Sequence, residues 1–187
     1  MKQVIRIIGG QYRGKKIAFP DSDGLRPTPD RIRETLFNWL MHHIRNARCL
    51  DAFAGSGALG FEAFSRGAAE VCLIEQNKST FSHLQTVISS FKTSHLTIIN
   101  ANACDFIHQT KQVFDIIFLD PPFATSQLPS CLIDLSARPI LPAGGLVYIE
   151  SPQEITVDPL HWDILKQKKA GQVVYALLKK RCPREET

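Results

Sequence analysis

The sequence lacks long hydrophobic runs, paired cysteine motifs and clustered histidines. No segment approaches the roughly 18 consecutive apolar residues of a membrane span, and the N-terminal segment has no signal-peptide core. The five cysteines never form C-x-x-C, and only His42 and His43 are neighbours among the histidines. These absences argue against membrane proteins, disulfide scaffolds and zinc sites. We expect one metal-free, monomeric domain in the cytoplasm, a size that 187 residues suit.

Charge is distributed unevenly along the chain. Residues 1–50 contain ten Lys/Arg against four Asp/Glu, residues 51–163 contain five against twelve, and residues 164–187 contain seven against two. An acidic middle between basic ends indicates a polyanion held at the periphery and a cation held at the centre. A solvated basic surface is the alternative that charge alone leaves open.

A glycine motif follows a short apolar run that ends at Asp51. Gly55, Gly57 and Gly60 spell G-x-G-x-x-G before a segment with helical periodicity, the order strand, turn, helix. Glycines let the chain turn sharply and let a ligand approach the backbone. Glu75 closes the next apolar run, where a carboxylate can accept both hydroxyls of a ribose. A tight turn without a ligand is the alternative.

The carboxylate of Asp51 favours a cationic ligand over a dinucleotide. It stands four residues before the first glycine, where a pyrophosphate needs no negative charge. S-adenosylmethionine has no phosphate, and its sulfonium and ammonium groups attract a carboxylate. A nicotinamide oxidoreductase shares the glycines and Glu75, but it has no use for the motif Asp120-Pro-Pro-Phe123.

From residue 48 onward, apolar strands alternate with amphipathic helices. We predict strands at 48–53, 71–75, 96–100, 114–119 and 145–150, and helices at 57–66, 77–90, 103–110 and 126–136. Strands that are apolar throughout are typical of a parallel sheet covered on both faces. Two further strands, 161–167 and 173–178, have no helix between them and should pair antiparallel at one edge.

The first fifty residues predict a basic hairpin and then a helix. Residues 4–8 and 15–19 are extended around Gly9-Gly10, and this hairpin carries Arg6, Arg13, Lys15 and Lys16. We place a domain boundary between residues 1–25 and 26–187. Thr28 is the expected N-cap and Pro29 the first helical residue, and the apolar stripe runs on to Ile44.

Arg31 and Arg33 lie near the start of that helix, where the helix dipole does not favour cations. They serve a ligand or partner, or they pair with Asp30 or Glu34. The sequence is compatible with both interpretations.

Doubly wound sheets bind ligands at the carboxyl ends of their strands. The residues predicted at those ends are Asp51, Phe53, Glu75, Asn102 and Asp120. Asn102 can bond a base edge, cap the helix that begins at Ala103, or do both.

Asp120-Pro-Pro-Phe123 suits an amine on a flat ring. Two prolines remove two backbone donors and fix φ, so the carbonyls are held in place. The Asp120 carboxylate and the Pro121 carbonyl then offer two acceptors for the two N–H groups of an amine. Phe123 offers a face on which a base stacks. A structural Pro-Pro turn that ends a strand is the alternative.

The chain resembles the small-subunit ribosomal RNA guanine-N2 methyltransferases (the RsmD family). The resemblance is carried by Arg26-Pro-Thr, Asp30 to Leu40, Asp51 to Gly60, Ser65-Arg-Gly-Ala68 and Asp120 to Phe123. It implies a class I methyltransferase, an α/β Rossmann-like fold with a mostly parallel seven-stranded sheet, an antiparallel C-terminal edge strand and an N-terminal β-hairpin. It also implies transfer of one methyl group from S-adenosylmethionine to the N2 amine of one guanine in 16S rRNA, on a small subunit or an assembly intermediate.

The resemblance also implies residue roles. The methionine-side loop is Asp51, Phe53, Ala54, Gly55, Ser56 and Gly57; Glu75 takes the ribose, and Asn102 and Ala103 meet the adenine. The target amine is held by Asp120, Pro121, Pro122 and Phe123, and the segment with Thr28 lies beside the cofactor. The residues expected to contact RNA are Arg6, Arg13, Lys15, Lys16, Arg26, Arg31 and Arg33.

Asn102 departs from the pattern, because many methyltransferases have Asp there. The alternatives are an amino-methyltransferase acting on DNA adenine and a non-catalytic RNA-binding module.

Overall fold

The computed structural model describes residues 3–19, 27–123 and 127–182, which form nine strands and five helices. The strands are β1 (Gln3–Arg6), β2 (Lys16–Phe19), β3 (Arg48–Asp51), β4 (Glu70–Glu75), β5 (Leu96–Asn100), β6 (Ile116–Leu119), β7 (Leu146–Ser151), β8 (Trp162–Ala170) and β9 (Val173–Lys180). The helices are α1 (Asp30–Trp39), α2 (Ala58–Ser65), α3 (Lys78–Ser89), α4 (Ala103–Gln109) and α5 (Gln127–Ala137). Across these ranges, no helix is both long enough and apolar enough to cross a bilayer.

Seven strands form one sheet in the order β5-β4-β3-β6-β7-β9-β8. The first five strands in this order are parallel, and β9 is antiparallel to both of its neighbours. The predicted α/β fold with a mostly parallel sheet and antiparallel pairing at one edge is therefore confirmed, although the outermost strand is β8 and the C-terminal β9 lies one place inside it. From β3 the chain first adds β4 and β5 on one side of the sheet, and it then crosses over to add β6 and β7 on the other side. At such a switch point, between β3 and β6, a crevice opens at the carboxyl ends of the two strands.

Both faces of the sheet are covered, which explains why its central strands are apolar throughout. Side chains alternate along a strand, so Phe118 of β6 points to one face while Ile117 and Leu119 point to the other. The face of Phe118, called here the hairpin face, packs against the β1–β2 hairpin, α1, α2 and α3. The opposite face packs against α4 and α5.

The predicted basic hairpin forms, and it packs into the same core as the sheet. Ile5, Ile7, Ile17 and Phe19 are buried in it. Buried Glu62 of α2 accepts the backbone N–H groups of Ile8 at 2.8 Å and Gly9 at 2.9 Å. The hairpin is thus fastened to the hairpin face. The boundary placed at residues 25 and 26, and the RNA-binding role of Arg26, stay predictions because residues 20–26 lie outside the described ranges.

The bounds predicted for α1 were wrong at both ends. Pro29 occupies the N-cap position without a side-chain cap, so the helix begins at Asp30. Thr28 does not cap it, because its hydroxyl donates instead to Asp120 Oδ2 at 3.3 Å. The helix ends at Trp39, although Ile44 remains buried in the turn that follows.

Arg33 cannot contact RNA as predicted, because it is only 1% exposed. Its guanidinium donates to Asp30 Oδ1 at 2.6 Å and to the Arg6 carbonyl at 3.0 Å, and lies 3.5 Å from Glu62. The alternative of pairing with Asp30 was correct for Arg33. The arginine is buried, however, and it pairs with Glu62 as well as with Asp30.

Candidate active site

Four carboxylates line the carboxyl ends of four adjacent strands. In sheet order they belong to Glu75 (β4), Asp51 (β3), Asp120 (directly after β6) and Glu150 (β7). Each stands two residues after a side chain buried on the hairpin face, so all four lie on that face. The pairing of Asp51 with Phe118 and of Leu119 with Ile149 brings the strand ends level. We call this set the carboxylate row.

Burial makes ionisation of the whole row costly. It raises the pKa of Asp51 to about 7, helped by the charge of Glu75 and opposed by the Gly60 N–H. It also raises the pKa of Glu75. For Asp120, burial and the neighbouring charges of Glu150 and Asp51 raise the pKa well above its usual range.

The described parts of the chain contain no lysine or arginine that forms an ion pair with the row. Within these ranges, no basic side chain therefore offsets the negative charge that the row carries when it is ionised. Such a site favours a cationic ligand, because a bound cation restores the charged form of each carboxylate.

The glycine turn lies against the row and is held by it. Gly55 and Gly57 have φ of +51° and +76°, and a Cβ at Gly57 would lie 2.3 Å from the Phe61 ring. Glu75 Oε2 accepts the Gly55 N–H at 3.0 Å, and Asp51 Oδ2 accepts the Gly60 N–H at 2.9 Å.

The other residues of the loop differ in how far they are buried. Ala54 and Ser56 are buried beneath the turn, whereas Phe53 is half-buried beside it. The structure therefore brings the predicted methionine-side loop together with Asp51 and Glu75.

Asn102 caps α4. Its Oδ1 accepts the N–H groups of Cys104 at 2.9 Å and Asp105 at 3.2 Å, and its Nδ2 donates to Gln76 Oε1 at 3.1 Å. The capping interpretation is confirmed, and contact with an adenine stays a prediction. Gln76, which follows Glu75 and steadies this amide, was not anticipated.

The Asp120-Pro-Pro-Phe123 corner follows β6 and projects from the sheet. Asp120 is half-buried and Pro121 is buried, whereas Pro122 is exposed. Phe123 is 48% exposed, which is high for a large aromatic side chain. The corner therefore presents a fixed carboxylate beside an open aromatic face.

Glu150 was missed at the sequence level. It is only 4% exposed, and the Tyr148 hydroxyl donates to its Oε1 at 2.8 Å. The sequence contains a signal for it, since the fifth predicted parallel strand ends in an acid, as the first, second and fourth do. The residues before Glu150 in this strand are apolar, so the segment is typical of a buried core strand.

The cations predicted to bind RNA differ in accessibility. Lys15 is half-buried, with Nζ 4.0 Å from the centroid of the Phe91 ring and 3.4 Å from Ser90 Oγ. Arg33 is buried. The exposed members are Arg6, Arg13, Lys16 and Arg31. We call the first three of these the hairpin cations.

The Arg6 guanidinium lies 3.9 Å from the carboxylate of Asp30. Asp30 follows Thr28, whose hydroxyl contacts Asp120, by two residues. Arg6, one of the hairpin cations, thus lies close to the Asp120 corner.

Comparison with known proteins gives consistent matches over nearly the whole chain. A family model described as "conserved hypothetical protein 95" matches residues 5–179. Ribosomal RNA small subunit methyltransferase D of Escherichia coli (strain K12) is 44% identical over 183 residues, which cover 97% of this chain and 92% of the relative. The Haemophilus influenzae protein of the same name is 41% identical, covering 94% of each chain. The solved structure of Escherichia coli yhhF superimposes with a TM-score of 0.87 at 44% identity, covering 96% of this chain and 99% of that one.

Proposed function

Because this chain belongs to the RsmD family of small-subunit ribosomal RNA methyltransferases, we propose that it methylates the N2 amine of a guanine in 16S rRNA. The methyl donor is S-adenosylmethionine, and the substrate is a small ribosomal subunit or an assembly intermediate. The observation that carries the proposal is the carboxylate row, which continues at Asp120 into the Pro-Pro-Phe corner.

The residues present fit this cofactor. A row of two buried and two half-buried carboxylates whose pKa values are raised suits a positively charged sulfur and an ammonium group, whereas it would repel a pyrophosphate. Asp51 and the turn at Gly55 and Gly57 would hold the methionine end, Glu75 the ribose, and Asn102 with Ala103 the adenine. When bound, the cofactor supplies a methyl group on a sulfonium, whose charge disappears on transfer.

The Asp120 corner holds the target amine. The Asp120 carboxylate and the Pro121 carbonyl accept its two N–H groups, which turns the nitrogen lone pair away from ring conjugation. Phe123 stacks on the purine, which must leave its own stack or come from an unpaired loop. Catalysis then rests on alignment and electrostatics, without a covalent enzyme intermediate.

The hairpin cations and Arg31 bind the phosphate backbone. They are exposed, and Arg6 adjoins the segment that contacts Asp120. Phosphate contacts orient an RNA without reading its bases, so the corner is left to select the guanine.

The test is tritium-methyl transfer to 30S particles from a strain that lacks this gene, followed by nucleoside analysis. We expect labelled N2-methylguanosine from the wild-type protein. Asp120→Ala should abolish transfer while S-adenosylhomocysteine affinity, measured by calorimetry, stays within a few fold. Asp115→Ala, at the opposite end of β6, is the matched control and should remain active.

Two results would contradict the proposal. One is binding of NAD instead of S-adenosylhomocysteine. The other is label found only on a nucleoside other than guanosine.

A further inference from the structure

Glu150 is a buried acid to which the proposed function gives no role. It lies next to Asp120 across the β6–β7 pairing, because Leu119 pairs with Ile149 one residue earlier. Burying a carboxylate without a cation is costly, and within the described segments Glu150 forms no ion pair. A position that only needed to fill the core would be better occupied by an apolar side chain.

Two hydroxyl groups hold the pair of acids. Tyr148 donates to Glu150 at 2.8 Å, and Thr28 donates to Asp120 at 3.3 Å. The Thr28 hydroxyl also lies within hydrogen-bonding reach of Glu150. Burial raises the pKa of Glu150, and the hydrogen bonds from Tyr148 and Thr28 only partly oppose that rise. One hydroxyl has one proton, so Thr28 cannot satisfy both carboxylates at once. The two acids therefore compete for a single donor, and each makes the other harder to ionise.

The charges around Asp120 all act in the same direction. The groups that face it are Asp51 from β3, Glu150 and Tyr148 from β7, and neutral Thr28. Every ionisable member of this set is anionic or neutral. Asp120 consequently holds a proton more tightly than an isolated aspartate does.

We propose that Glu150 is a positioning residue for methyl transfer: it acts through Asp120, next to it across the β6–β7 pairing, so that this carboxylate more readily accepts the proton that the amine releases. This inference rests on the proposed function. The amine nitrogen forms a bond to the methyl carbon, and the carbon–sulfur bond breaks with its electron pair left on sulfur. The nitrogen, now carrying one positive charge, releases one proton to Asp120, and that proton passes on to water.

The pH dependence of transfer tests the role, because Asp120 must be ionised to accept the amine. Glu150→Gln removes the neighbouring charge in the same shape, so the pKa of Asp120 falls. The acid limb of the kcat profile should then move to lower pH by about one unit, and the maximal rate should drop. Thr28→Val removes a donor from Asp120 and should move the acid limb to higher pH.

The carboxyl carbons of the cofactor-free protein provide a readout independent of activity. An NMR titration should give a lower pKa for Asp120 in Glu150→Gln and a higher one in Thr28→Val. Retained S-adenosylhomocysteine binding by Glu150→Gln shows that the variant is folded.

The outcomes separate the two proposals. If the wild-type protein methylates and neither the acid limb nor the NMR titration moves in Glu150→Gln, Glu150 is only structural. Shifts of the same sign in both variants would also overturn the inference. If the wild-type protein does not methylate guanosine, the proposed function fails first, whatever the titration shows.

Discussion

Asp51 offers the sharpest test of the carboxylate row, because the structure predicts opposite effects on stability and binding. The side chain is 2% exposed and accepts the Gly60 N–H at 2.9 Å. Asp51→Asn keeps nearly the same volume and one oxygen that accepts the Gly60 N–H. It removes the negative charge and weakens a second backbone hydrogen bond, from the Phe53 N–H. The comparison of pH 8 with pH 5 isolates the charge, because the weakened hydrogen bond is present at both pH values.

The magnitude follows from the pKa. The free value of 3.8 rises to about 7 in the folded protein. Between these values the folded state binds more protons than the unfolded state, so the stability of the wild-type protein falls as pH rises through that window. Three pKa units correspond to about 4 kcal/mol, of which roughly a third is expressed at pH 5 and nearly all at pH 8. The Asp51→Asn variant has no carboxylate to ionise, so its unfolding free energy does not fall in this way.

Urea unfolding of the cofactor-free protein measures the effect. Relative to wild type, Asp51→Asn should gain about 2–3 kcal/mol more at pH 8 than at pH 5. Its affinity for S-adenosylmethionine at pH 8 should fall at least about tenfold, since a charged contact is lost. Wild-type affinity should itself weaken below pH 7, where Asp51 becomes protonated.

Asp115→Asn is the matched control for the loss of charge on a backbone acceptor. Asp115 is exposed and accepts one backbone N–H, that of Arg48, at 2.8 Å. The reasoning fails if Asp51→Asn shows no larger gain at pH 8 than at pH 5. It also fails if the variant binds S-adenosylmethionine as tightly as the wild-type protein does.

Three further predictions concern the hairpin, the RNA and the base. Glu62→Gln breaks the buried cluster that holds the hairpin and should cost about 3–5 kcal/mol of unfolding free energy. Glu70→Gln, in an exposed pair with Arg48, should cost at most about 1 kcal/mol, and equal losses in urea unfolding would show that Glu62 does not hold the hairpin. Reversing the three hairpin cations should weaken RNA binding and reduce the slope of log K against log salt by about three. An unchanged slope would exclude the hairpin from the phosphate contacts, and the matched control reverses three exposed cations near the amino ends of the strands, Arg45, Arg48 and Lys111. Phe123→Ala should weaken RNA binding by about 1–3 kcal/mol with unchanged S-adenosylhomocysteine affinity, and full RNA affinity would refute the stacking role.

Local rules explain what could be predicted. The glycine turn needs positive φ at Gly55 and Gly57, a requirement visible in the sequence itself. The alternation of apolar strands and amphipathic helices predicts a parallel sheet, and in such a sheet Asp51, Glu75 and Asp120 must meet at one edge. The Pro-Pro corner is equally local, because the two rings remove two backbone donors whatever surrounds them.

The errors lie where distant segments compete for the same side chain. Thr28 has the residue type of a helix cap, but Asp120, 92 positions away, takes its hydroxyl. Arg33 has the charge of an RNA contact, but its position on the buried side of α1 places it against Glu62. A one-dimensional pattern shows each group's chemistry without showing its partner.

The sequence by itself determined the fold class, the turn at the glycines and the corner at Asp120, because backbone conformation and hydrophobic periodicity depend on neighbours along the chain. Only the tertiary structure decided which charges are buried and shared. The pKa values of Asp51, Asp120 and Glu150 depend on solvent exclusion and on groups from other strands. That electrostatic environment exists only after the strands are paired and the hairpin covers the sheet.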